Sequence, residues 1–202
     1  MSMFALHDEA VLRDIIAAHP LAALVTAGPE GLDARHIPLL LRAGNLVGHM
    51  ARANPLAARD GAEVLAIFRA AEAYVSPNLY ASKAEHGRVV PTWNYVVAHA
   101  HGRLRIIDDP AWVRAQIGEL TDSQEGGRAH PWKVEDAPAD YIEKMQRGII
   151  GLEIAITRLA GVRKASQNRE ERDRAGVKAG LAADARPGAA EMAAWVREGP
   201  AG

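Results

Sequence analysis

The chain has 202 residues, of which 49% are hydrophobic, with a net charge of −1 and no cysteine. The lack of cysteine excludes disulfides, thiolate catalysis and thiolate metal sites. A charge so near zero excludes bulk attraction to nucleic acid or to an anionic membrane. The start, Met1-Ser2-Met3-Phe4-Ala5-Leu6-His7-Asp8, lacks a basic segment followed by an apolar core, so no signal peptide is predicted. No apolar run approaches the roughly 20 residues that span a bilayer. A cytoplasmic protein is expected.

In chain order, 8–19 reads as a helix: Val11, Leu12, Ile15 and Ile16 form one stripe behind Asp8 and Glu9, and Pro20 ends it. Strands follow at 21–27, 32–41 and 46–51, with turns at Gly28-Pro29-Glu30-Gly31 and Arg42-Ala43-Gly44-Asn45. This spacing suits an antiparallel meander. Asn54-Pro55 predicts a short helical turn through Ala58, and 62–70 a buried strand that Tyr74-Val75-Ser76-Pro77 extends or repeats. Residues 78–88 read as a polar connection with one helical turn.

The longest strand-like run is 89–107. With period two, one face carries Thr92, Asn94, Val96, Ala98, Ala100, Gly102, Leu104 and Ile106, and the other Trp93, Tyr95, Val97, His99, His101, Arg103 and Arg105. Pro91 has no N–H for a ladder and is placed at the strand's first residue. Asp109 then caps a helix with Pro110 at its first position, running to about Ser123. Residues 124–138 read as irregular, 139–147 as a short helix, 148–159 as a final strand, and 169–182 and 189–197 as helices. Disorder is expected past Gly199. The class is mainly β with α decoration, a small antiparallel barrel with N-terminal, inserted and C-terminal helices. One domain over 1–200 is expected, with the barrel at about 20–107 and 148–160 and helical parts at about 8–19, 110–147 and 169–197.

Walker, dinucleotide-glycine, zinc-protease and nucleophile-elbow motifs are absent. A bound phosphate would be held by side chains and strand-end amides. Arg35 suits an anion through its forked donors, and Ser82-Lys83 pairs a hydroxyl with an ammonium. Asn94 falls on a face expected to be buried, where an amide needs partners. Trp93 and Tyr95 offer aromatic faces to a flat ligand or a second subunit. Among eight histidines, His99 and His101 share a strand face, the spacing behind a haem-handling alternative; interface or surface roles weigh more. In Lys164-Ala165-Ser166-Gln167-Asn168-Arg169, Ser166 or Asn168 is a candidate helix cap, and the alternative is a loop reaching a cofactor.

Five blocks together, Ala34-Arg35-His36-Ile37-Pro38-Leu39, Gly48-His49-Met50-Ala51-Arg52-Ala53-Asn54-Pro55, Tyr74-Val75-Ser76-Pro77, Val90-Pro91-Thr92-Trp93-Asn94-Tyr95 and Lys164-Ala165-Ser166-Gln167-Asn168, resemble the PaiB family of FMN-binding negative transcriptional regulators. The resemblance implies an FMN-binding split β-barrel and a homodimer with flavin sites in the subunit interface. It implies a phosphate held by Arg35, Ser82, Lys83 and Thr92, with His36, Trp93 and Asn94 close by and Gln167 and Asn168 approaching from the C-terminal segment. Asn78-Leu79-Tyr80 stands where the family usually has a tryptophan. The alternatives are a flavin-dependent oxidoreductase and a cofactor-free interaction protein. DNA is a possible partner that neither charge nor motif supports, and no metal or catalytic residue is assigned.

Overall fold

The structure, a computed structural model, describes residues 3–197; the predicted disorder past Gly199 lies outside them. Eight strands are present in the described residues: β1 (Ala5–Leu6), β2 (Leu21–Gly28), β3 (Gly31–Pro38), β4 (Leu40–Arg42), β5 (Asn45–Ala51), β6 (Glu63–Val75), β7 (Thr92–Ile107) and β8 (Ile149–Lys164). The helices are α1 (Glu9–Ala18), α2 (Lys83–His86), α3 (Pro110–Glu125), α4 (Ala139–Arg147), α5 (Glu171–Ala182) and α6 (Ala189–Trp195), with short 3-10 turns at Pro55–Ala58, Pro77–Leu79 and Val134–Asp136.

The strand order is β3-β2-β6-β7-β8-β5-β4, with β1 paired to β8. This corrects the meander: only β2–β3 and β4–β5 pair as sequence neighbours among β2 to β5. The predicted strand 32–41 is two strands, because Pro38 cannot donate and buried Leu39 turns its N–H to Pro20 O at 2.8 Å. The sheet does not close into a continuous hydrogen-bonded ring, the condition of a split barrel.

The described residues fall into two compact units. One is drawn from 19–68 and 100–159. Its core is alternate side chains of its strands: Ala22, Leu24, Val64, Ala66, Phe68, Leu46, Leu104, Leu152 and Ile154, each nearly solvent-free. Antiparallel registers Leu24↔Ala66 and Leu46↔Ile154 bring these faces together. The β4–β5 hairpin turns on Ala43 and Gly44, both at positive φ (48° and 87°), as a two-residue primed turn requires. Helix α3 starts as predicted, with Asp109 Oδ1 accepting from the amides of Ala111 (2.8 Å) and Trp112 (3.3 Å). It lays Trp112 against Gly151 of β8, where a Cβ would clash with the indole.

The other unit is drawn from the described parts of 1–18, 69–99 and 160–202. Asp8 caps α1 through the amides of Ala10 (3.0 Å) and Val11 (3.3 Å), and Leu12, Ile15 and Ile16 are buried, as their stripe predicts. β1, which the sequence pattern does not reveal, pairs Ala5 with Val162 and Leu6 with Gly161. The inward positions of β6 and β7 are Ala71, Ala73 and Val75, and Asn94, Val96 and Ala98. α5 and α6 bury Val177, Leu181, Met192 and Ala193. α5 begins at Glu171 with Glu170 at its cap position, so neither Ser166 nor Asn168 caps it.

Helix α5 approaches the Pro77–Leu79 turn so closely that a Cβ on Gly176 would run into the backbone carbonyl of Leu79. A Cβ on Gly180 would meet only the movable end of the Leu79 side chain. We expect Gly176→Ala to destabilise by about 1–2 kcal/mol, overpacking exceeding the roughly 1 kcal/mol gain in helix propensity, and Gly180→Ala to cost less. Urea denaturation of both variants checks this; a more stable Gly176→Ala would contradict the close approach.

Candidate functional site

Strand β7 alternates without interruption from Thr92 to Leu104. Asn94 is 1% exposed, whereas Trp93 and Tyr95 on the opposite face are 54% and 37% exposed. Asn94 Nδ2 donates to Ser166 Oγ at 2.9 Å, and Asn94 Oδ1 has no protein partner. Rotating the amide by half a turn only moves the deficit to the other polar atom. A buried polar atom left so costs about 1–3 kcal/mol.

Ser166, itself 3% exposed, sits at φ +60°. A non-glycine residue pays about 1–2 kcal/mol in that region. Its carbonyl accepts from Arg169 N at 2.9 Å. Two residues earlier, Lys164 Nζ donates to Thr92 Oγ1 at 2.6 Å. That partner is a hydroxyl, not a carboxylate. The adjoining Arg163 guanidinium is pressed below its ordinary pKa, first by burial and then by the charge of Arg197. Gln167 braces the loop: its Oε1 accepts from Ala165 N at 2.7 Å and its Nε2 donates to Arg163 O. Asn168 is exposed on the same loop. Thus the structure brings together the predicted Thr92, Asn94 and Gln167, and adds Lys164 and Ser166.

Arg35 and His36 lie in the other unit, on β3, opposite Leu24 and Ala23 of β2. Arg35 Nε donates to Asp33 Oδ2 at 2.8 Å, and His36 is exposed. His101 contacts Arg158 Nη2 through Nε2 at 2.7 Å, and burial, then the Arg158 charge, lower its pKa. Its ring nitrogen therefore faces a cation in the neutral form. His49 Nδ1 lies 2.6 Å from Oε1 of the fully buried Gln116. No group of three metal-binding side chains occurs among the described residues.

Ser82 and Lys83 are placed differently from the Thr92 cluster, and among the described residues no hydrogen bond joins them to it. Ser82 is 4% exposed; its amide and hydroxyl both donate to Asp173, at 2.9 and 2.7 Å. A fixed carboxylate at that hydroxyl disfavours a second anion. Lys83 is exposed and donates to Asn78 Oδ1. Around them Arg172 forks onto Glu85, and the Arg169 guanidinium lies 4.8 Å from the centre of the Tyr80 ring. α5 is thereby fastened to the segment carrying Ser82.

Burial alone would raise the pKa of Asp173, but the Ser82 amide and hydroxyl, then Arg172 and Arg169, hold it below the ordinary value. A depressed folded pKa gives stability that is present above the unfolded pKa and lost as pH falls through the folded one. Asp173→Asn is expected to cost about 1–3 kcal/mol at neutral pH and to flatten the loss of stability below about pH 4. Denaturation midpoints across acid pH test this; profiles that stay parallel would show that Asp173 is not the acid-labile group.

The family model described as "Putative FMN-binding domain" matches residues 1–158. An uncharacterized protein of Emericella nidulans is 36% identical over 226 residues, covering 90% of this chain and 90% of that one. Protease synthase and sporulation protein PAI 2 of Bacillus subtilis is 28% identical, covering 89% of this chain and 87% of its own length. Among solved structures, the FAD and heme binding protein of Mycobacterium smegmatis aligns with a TM-score of 0.61 at 19% identity, over 79% of this chain and 73% of that one. The flavocytochrome Anf3 of Azotobacter vinelandii gives 0.60 at 15% identity, over 79% and 69%. At these identities the two structures speak for the fold, which is the split barrel expected from the sequence. Among the described residues, no helix is long and apolar enough to cross a membrane. The family model's reach over most of the chain and the Emericella relative's identity agree with the motif reading: this chain belongs to the FMN-binding domain family that includes PaiB.

Proposed function

We propose that this protein is a cytoplasmic FMN-binding negative transcriptional regulator of the PaiB type, working as a homodimer with its flavin sites at the subunit interface. The observation that carries the reading is the cluster of Thr92, Asn94, Lys164 and Ser166. It supplies an ammonium that, among the described residues, donates to a hydroxyl and not to a carboxylate, together with a buried amide that has one polar atom to spare. These are the donors and acceptors that a phosphate and the polar edge of a flavin need. Thr92 and Lys164 hold the phosphate, Asn94 bonds a polar atom of the ligand, and Gln167 and Asn168 border it. Bound FMN supplies one- or two-electron redox chemistry.

The dimer is supported by Val90, just before β7, and Tyr95 on it, large side chains 64% and 37% exposed. The name of the Bacillus relative, a protease synthase and sporulation protein, supports a regulatory role. With a net charge of −1, regulation through a second protein fits better than a direct electrostatic grip on DNA.

FMN titrated against its own fluorescence is expected to bind saturably to the wild type. Lys164→Ala and Thr92→Val should weaken it, the first by roughly tenfold or more, since a hydrogen bond to a charged group is worth about 1.5–3 kcal/mol. Arg35→Ala, His36→Ala, Ser82→Ala and Lys83→Ala assign the other residues the resemblance names. A wild type that takes up no FMN, or a chain that sediments as a monomer, would sink the corresponding part of the reading.

A further inference from the structure

We propose a second ligand site, beyond the flavin reading: a pocket on Tyr74, Trp93 and Arg186 that takes a planar nitrogen heteroaromatic of one or two rings. It is a cavity of about 250 Å³ within one compact unit, lined by Glu72, Ala73, Tyr74, Trp93, Arg186 and Pro187, among others. Three flat groups surround it. The Trp93 and Tyr74 rings meet edge to face, 6.1 Å apart at 70°. The Arg186 guanidinium stands 5.8 Å from the centre of the Tyr74 ring.

The arrangement is preformed. Asp184 grips Arg186 through Nε, at 3.0 and 2.9 Å, and through Nη2. That leaves the plane of the guanidinium and its Nη1 donors for a ligand. Gly188 holds φ +79°, and a Cβ there would stand 2.9 Å from Glu72 O, so the turn bearing Arg186 and Pro187 is pressed against β6. Glu72 at the rim, paired with Arg69 at 3.0 Å, adds an acceptor. A ring stacked on Trp93 would meet donors from Arg186 and an acceptor from Glu72, the edge chemistry of a nitrogen heterocycle.

The site is distinct from the Thr92–Asn94 cluster because β7 alternates: Asn94 faces inward and Trp93 outward. Its volume lies below the roughly 300–1,000 Å³ of pockets that hold drug-sized ligands, so it seats one or two rings and not a whole FMN. Arg186 and Pro187 also lie beyond residue 158, where the family model ends.

The test uses the full chain with adenine and nicotinamide as probes, followed by saturation-transfer NMR and by titration. Both should bind saturably in the millimolar range or tighter. Trp93→Leu and Arg186→Ala, at exposed positions and checked for an unchanged far-ultraviolet circular dichroism spectrum, should each weaken adenine by about tenfold, the scale of one base stacked on an aromatic side chain. Saturating FMN should leave adenine binding intact. No binding of either probe, binding indifferent to both variants, or mutual exclusion with FMN would overturn the proposal. A wild type that binds adenine and not FMN would uphold this pocket and remove the flavin reading.

Discussion

A long strand cannot choose which neighbours to bury. Over the sixteen residues of β7 each inward position fixes an outward one, and a register slip of one residue would send Val96, Ala98, Ala100 and Leu104 into solvent. Those four are essentially solvent-free; at about 25 cal/mol per Å² of apolar surface, their burial outweighs anything one polar side chain can return. Asn94 is therefore carried inside and Trp93 outside by their neighbours. The buried amide and the exposed indole are two consequences of one constraint.

Carrying Asn94 inside creates a local debt that the loop after β8 only partly settles. Ser166 reaches the amide by adopting a left-handed backbone, and the second polar atom stays unmatched. An unmatched atom and a strained residue together amount to a few kcal/mol, a sizeable share of a domain's net stability of about 5–15 kcal/mol. Strain of this kind persists where the surroundings over-determine it. Here they do: Gln167 ties the loop to Ala165 and Arg163, and Arg169 closes onto Ser166 O. By contrast the bidentate Arg52–Asp108 pair, at 2.8 and 2.7 Å, is exposed and contributes little to stability despite good geometry.

What the sequence reveals follows from which forces are local. The stripe of α1, the cap at Asp109, the Ala43-Gly44 turn and the two faces of β7 depend on residues a few positions apart, and each is legible. β6 runs on to Val75 although its middle is Arg69-Ala70-Ala71-Glu72-Ala73, small and charged residues with poor strand propensity; the neighbouring strands decide there. β8 likewise continues past Leu159 to Lys164, through Arg163 and into pairing with β1. In the site, Asn94 is conspicuous because an amide interrupts an apolar face. Lys164 and Ser166 stand inside a motif that the sequence marks, yet their partners lie 72 residues away. Ser82 looks like a free hydroxyl until Asp173, 91 residues on, takes both its donors. Spacing along a chain carries no trace of such pairs.

The distribution of these residues along the chain bears on how the family's scaffold is used. The family model covers the strands through most of β8 and stops at residue 158. Lys164, Ser166, Asp173 and Arg186 all follow it. A scaffold common to many proteins can present the same strand faces in each and leave the chemistry to what is laid against them. In this chain the last forty or so residues supply the ammonium beside Thr92, the hydroxyl beside Asn94, the carboxylate that claims Ser82, and the guanidinium beside Tyr74. A relative that keeps β7 and changes this segment would keep the buried amide and the exposed indole but lose the polar groups that stand beside them. The strand thus fixes the two faces of β7, and the C-terminal segment supplies the polar groups that stand beside Thr92, Asn94 and Tyr74.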